Sequence, residues 1–178
     1  EMQRSLVGSE MCIRDSYEES MFDGQKVSKS RIITSVDYSM VSMEAFEIYA
    51  TNHDIHVMDF VLKLDAYSYY MMNLLDYLIG NTDRHWGNWG FLVDNRTNQP
   101  VRLFDLMDLN QTFLAYDTPD GANCMTTGNR KMSQREAAVE AVKNIGLNQK
   151  DEIKDEWFKG REKEREMFWC RFGILKEQ

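Results

Sequence analysis

"GNTDRHWGNWGFLVDN", Gly80 to Asn95, sets an Asp, an Arg, a His and two Asn between two apolar stretches, where a short turn would be enough to reverse the chain. The stretch before it, "AYSYYMMNLLDYLI", has Tyr67, Tyr70, Met71, Leu74, Leu75 and Leu78 at helical spacing, and Gly80 follows as a stop. The stretches after it, "GFLVD" and "VRLF", predict two short strands joined by the turn residues "NRTNQP". A helix therefore delivers the chain to a polar loop, and a hairpin leads it away.

Farther out the signals are more ordinary. Ser133 and Glu136 have capping-box spacing ahead of "AAVEAVKNI", which predicts a helix ending at Gly146. Upstream, "SMEAFEIYAT" predicts a short helix with Ser42 as its cap, and "DIHVMDFVLKLD" predicts another capped by Asp54. "RIIT" reads as a short strand and Tyr17–Ser30 as a polar loop. Tyr116 to Lys131 carries Gly, Thr and Asn and reads as a long loop. The tail "DEIKDEWFKGREKEREMFWCRF" predicts one or two amphipathic helices. Their apolar residues Trp157, Phe158, Met167, Phe168 and Phe172 supply core, and their charges a solvated face.

Composition sets limits. The chain has 178 residues, 43% of them hydrophobic, enough for one domain with a real core. No run of about 18 apolar residues exists, so no spanning helix is expected. The formal charge of −8 argues against a broad phosphate-binding surface, and hence against direct nucleic-acid contact. Cys12, Cys124 and Cys170 lack paired spacing, which points to a reducing compartment rather than a disulfide framework, and with no membrane or export signal the cytoplasm is the expected location. His53 and His56 read as solvent-facing rather than metal-binding. Within residues 1–16, "EMCIRDS" is what GAG ATG TGT ATA AGA GAC AGC encodes, and it resembles a translated sequencing adapter. The expectation is that residues 1–16 stand outside the fold, and that 17–178 form the domain.

Asp83 and Asn88 lie at the Asp-to-Asn offset of a protein-kinase catalytic loop, H-R-D-x-x-x-x-N. The chemistry explains the spacing: the Asp must face an acceptor hydroxyl while the Asn, from the same short loop, faces a magnesium ion. A further carboxylate must reach the metal, and "FDLMDLN" offers Asp105 and Asp108 after the hairpin.

"GNTDRHWGNWGF" followed by "LMDLN" resembles the C-terminal domain of HipA-like kinases and, more distantly, the D-R-H-x-x-N loop of phosphatidylinositol 3- and 4-kinases. The resemblance is strongest from Asp76 to Phe113. It implies an α+β, mainly helical fold: a protein-kinase-like C-terminal lobe with a short β-hairpin beside the catalytic loop. It implies ATP and magnesium as cofactors, a protein Ser/Thr hydroxyl as acceptor, and a bacterial-type toxin–antitoxin pairing. Under it Asp83 is the catalytic Asp, and Asn88 and Asp108 hold the metal, with Asp105 the rival. Arg84 and His85 order the loop, His85 alternatively assisting proton transfer, and Asn110 supports the metal loop. Leu109 departs from the family's aromatic at that position. A Gly-rich loop and a strand-borne Lys are missing around Lys26, Lys29 and Lys63, so the N-terminal nucleotide lobe is expected to be largely absent. The expectation is a kinase fragment, inactive without that lobe.

Plain structural alternatives stand beside this. Asp83, Asn81 or Thr82 can cap a turn, Asp83–Arg84 can be a weak local ion pair, Trp86 and Trp89 can simply pack, and Asp76 can be structural. A non-catalytic binding module on a kinase-like helical lobe, and a lipid or small-molecule kinase, are the rival functions.

Overall fold

The computed structural model describes residues 17–30, 32–147 and 153–178. The adapter-like stretch 1–16, with Cys12, lies outside them. Among the described residues the fold is α+β, with four helices, a two-stranded sheet and a three-stranded antiparallel sheet. The elements run β1 (Tyr17–Phe22), β2 (Gln25–Ser30), β3 (Tyr38–Ser42), α1 (Met43–Asn52), α2 (Val57–Ile79), β4 (Gly90–Asp94), β5 (Gln99–Leu103), α3 (Gln134–Ile145), a 3-10 turn (Asp155–Phe158) and α4 (Glu162–Lys176).

The second half of α2 is the centre of the core. Every residue from Tyr69 to Ile79 is buried, the signature of a helix covered on all sides. The other helices and the three-stranded sheet pack around it, and Phe158, Phe168, Phe172 and Leu175 close the C-terminal side as the tail's sequence predicts. The separate helices expected over 54–65 and 67–78 are one element broken at Asp65, whose φ of −155° is not helical. Asp65 restarts the helix. One carboxylate oxygen accepts from Ser68 N at 3.2 Å as an N-cap would, and the other accepts from Leu103 N on β5 at 3.0 Å. The first half is capped by His56, not by Asp54 as predicted: His56 Nδ1 accepts from Asp59 N, while Asp54 sits in a left-handed turn.

The end of α2 has its carbonyls individually satisfied, as a buried helix terminus requires. Gly80 caps it in the left-handed conformation (φ 63°), and a Cβ there would run into the Tyr116 ring. Tyr116 OH donates to Leu78 O, Phe113 N to Ile79 O, and Arg171 Nη1 to Tyr77 O. Arg171, on α4, is wholly buried, with no carboxylate paired to it among the described residues. It spends its other nitrogens on Thr118 O, and its guanidinium lies over the Tyr77 and Tyr116 rings, at 5.0 and 4.4 Å from their centroids.

Burial, partly offset by Arg171, pushes the Tyr77 phenol up to about 12 from an ordinary 10.0. The unfolded chain therefore releases this proton at lower pH than the folded one. The stabilisation is complete below about pH 10, and it is lost as pH rises through about 12. Urea midpoints from about pH 9 to 12 are expected to fall, and Tyr77→Phe to flatten part of that decline, a part on the order of 2 kcal/mol. Identical pH curves for both proteins would refute this.

Two stretches differ from expectation. Tyr17–Ser30 is not a loop but the antiparallel hairpin β1–β2, turning at Asp23 and Gly24, both at positive φ (48° and 76°), as a tight hairpin turn demands. "RIIT" is not a strand over Ile32–Thr34. The strand comes later, as β3, and pairs with β4 from Tyr38–Asp94 to Ser42–Gly90. The predicted hairpin β4–β5 forms, with a bulge at Leu92–Val93 and Pro100 on the edge strand, where no ladder donor is needed. Both α1, capped by Ser42, and α3, with its reciprocal Ser133–Glu136 box, begin as predicted. Among the described residues no helix is long and apolar enough to cross a membrane.

Candidate active site

The polar loop between α2 and β4 is held from below by a buried ion pair. Asp76, on the last turns of α2, receives Arg84 Nε at 2.8 Å and Arg84 Nη2 at 3.0 Å, a two-point fork. Both side chains are almost fully buried. Asn81 Nδ2 adds a third bond to Asp76 at 2.9 Å. Arg84 Nη1 then reaches two main-chain oxygens at once, Asn88 O at 2.8 Å and Met107 O at 2.7 Å. One nitrogen thus joins the end of the loop to the segment after β5, one residue short of Asp108. The loop's other side is fixed to α1: Met43 N donates to Trp89 O and Glu44 N to Trp86 O. Gln134, the first residue of α3, donates to Asn81 O at 2.6 Å and ties the 116–131 loop in through Ala122 N.

On this frame Asp83 and Asn88 face each other. Asn88 Nδ2 donates to Asp83 O at 2.8 Å and lies 3.4 Å from Asp83 Oδ2. The amide's NH2 is therefore turned toward the Asp, and Asn88 Oδ1 accepts no hydrogen bond among the described residues. The other Asp83 oxygen, Oδ1, lies 3.9 Å from His85 Nε2, with both side chains partly exposed. His85 Nδ1 accepts from Gly87 N at 3.0 Å, which sets the ring's orientation. Asp83 thus presents one oxygen toward an imidazole and the other toward an amide, and keeps access to solvent.

The two candidate acids beyond the hairpin lie in different surroundings. Asp105 is buried and takes Arg102 Nη1 at 2.6 Å. Asp108 is exposed, has no ion-pair partner among the described residues, and sits at φ 52°, a conformation Asp tolerates better than most residues. Asn110 is exposed as well. Oxygen donors from Asn88 and Asp108 suit a hard cation such as magnesium, which commonly takes one or two protein oxygens and fills its other positions with phosphate and water. No group of three or more His, Cys, Asp or Glu side chains forms a metal cluster among the described residues, so the protein's own acids make no cage.

The residues read as packing or structural behave so. Trp89 is buried in the core, Trp86 is half-buried with its Nε1 donating to Met125 O, and Asn81 rather than Asp83 forms the turn, accepting from Asp83 N. His53 and His56 are exposed. Reading by residue missed the weight of Asp76 and Gln134. An acid within an otherwise apolar helical run is the one sequence signal for the former, and Gln134 has none. No family model, no curated protein and no solved structure matches this chain.

Proposed function

We propose that this chain carries the catalytic loop of an ATP- and magnesium-dependent Ser/Thr protein kinase of the HipA-like type, acting in the cytoplasm together with a nucleotide-covering lobe. The observation that carries the reading is the Arg84 fork. It holds the loop bearing Asp83 and Asn88 and the segment leading to Asp108 on a single buried cation.

In this reading Asp83 accepts the proton of the acceptor hydroxyl as its oxygen forms a bond to the γ-phosphorus of ATP. The bond from that phosphorus to the β–γ bridging oxygen breaks, and ADP leaves. Asn88 Oδ1 and the Asp108 carboxylate are the groups that would hold magnesium. The cation neutralises charge on the phosphates when bound. His85 lies close enough to Asp83 to orient it. Asp105, already matched to Arg102, is the weaker metal candidate. The barrier is lowered by placement and charge rather than by a covalent intermediate.

Manganese is a spectroscopic stand-in for magnesium, and binding of Mn2+ with ATP can be followed by calorimetry and electron paramagnetic resonance. Asn88→Ala and Asp108→Ala are expected to weaken Mn2+–ATP binding by about 10- to 100-fold or more, the scale seen when metal-site residues are lost. Asp105→Asn is expected to lower the melting temperature while leaving the metal in place. Nucleotide binding unaffected by Asn88→Ala and Asp108→Ala, or absent even with a nucleotide-covering lobe supplied, would leave the non-catalytic module as the better account.

A further inference from the structure

A cleft of about 360 Å3 opens directly against the polar loop, walled by Glu44 and Glu47 of α1, by His85 and Trp86 of the loop, and by Gly128 and Asn129. That volume falls in the range of small-ligand and side-chain pockets, about 300–1,000 Å3. Resting on the kinase reading above, we propose that this cleft seats a cationic side chain, Lys or Arg, of a peptide whose neighbouring Ser or Thr presents its hydroxyl to Asp83.

Three observations support it. The first is charge. Glu44 and Glu47 lie three positions apart on one face of α1, like charges that cost the helix stability, and neither has a cation partner among the described residues. The main-chain bonds from Met43 and Glu44 to the loop fix the spacing between these carboxylates and the catalytic residues. Glu44 Oε2 overhangs the loop itself, 3.6 Å from where a Cβ on Gly87 would stand.

The second is the indole. Trp86 lines the cleft with its Nε1 engaged by Met125 O, and an indole is the strongest of the aromatic partners for a cation. The third is position. His85 forms part of the wall and its Nε2 lies 3.9 Å from Asp83 Oδ1. The cleft and Asp83 thus adjoin across a single imidazole. An anionic acceptor such as a phosphorylated lipid headgroup would meet two uncompensated carboxylates at the same place.

The test is fluorescence anisotropy on the full chain with labelled Ser-containing peptides flanked by Arg/Lys, by neutral residues or by Glu, alongside vesicles containing a phosphorylated inositol lipid. The Arg/Lys peptide is expected to bind tightest and to weaken as salt rises. Glu44→Gln combined with Glu47→Gln, both at exposed helix positions, is expected to weaken it about tenfold, from two exposed ion pairs. Glu47→Lys is expected to shift preference toward the Glu-flanked peptide, a reversal that a folding defect cannot produce. Equal binding of all three peptides, preference for the vesicles, or a double variant that binds normally overturns the proposal. Phosphate transfer without basic-peptide preference sinks the acceptor class alone, and basic-peptide preference without any transfer sinks the kinase reading alone.

Discussion

Asp76→Ala is expected to destabilise the protein by about 3–5 kcal/mol, the scale for removing one partner of a buried ion pair. A guanidinium keeps its charge under ordinary conditions, so nothing neutralises the Arg84 cation left behind. It would remain buried with Nε and Nη2 facing the space the carboxylate left, and Asn81 Nδ2 would lose its acceptor as well. For a domain of this size the melting temperature should fall by roughly 2–4 °C per kcal/mol. Urea unfolding of the wild type, Asp76→Ala and Asp76→Asn decides it. The Asn variant keeps the shape and one acceptor oxygen and should fall between. A loss under about 1 kcal/mol, the value of a surface pair, would mean that water reaches Arg84. The same cation holds the Asn88 and Met107 carbonyls, so Arg84→Lys, which lacks the planar fork, should loosen the Mn2+ site beyond its effect on stability.

Asp83→Asn is expected to act in the opposite manner, removing activity while sparing the fold. Loss of a positioned general base costs about 10²- to 10⁴-fold in rate. Asp83 is partly exposed, and its contact with the His85 imidazole is a loose one at 3.9 Å, so stability should change by no more than about 0.5 kcal/mol. The Asn88 bond to the Asp83 main-chain oxygen survives the substitution. The measurement is phosphate transfer to a Ser peptide by the protein with its nucleotide lobe present, beside a thermal melt of the same samples. An Asp83→Asn protein that transfers phosphate at the wild-type rate would refute the assigned role. One that melts far below wild type would recast Asp83 as a structural turn residue.

Features confined to one or two turns of chain were legible before any folded structure. The apolar run into Gly80, the Ser42 cap, the Ser133–Glu136 box and the hairpin after the loop are such features, because caps and periodicity depend on near neighbours. The offset of Asp83 and Asn88 was legible for the same reason, and the two do meet. The Asp23–Gly24 hairpin was equally local, but the polar composition around it reads as loop. Tertiary structure alone decided the rest. β3 exists because β4, far along the chain, supplies its ladder, and Asp65 breaks a helix because β5 offers it a donor. Asp105 and Asp108 follow near-identical apolar pairs, so no local rule separates them. Packing does: it buries the first beside Arg102 and leaves the second exposed, one residue beyond a carbonyl held by Arg84. The energy of a charge is set by what surrounds it in space, and those surroundings come from distant parts of the chain.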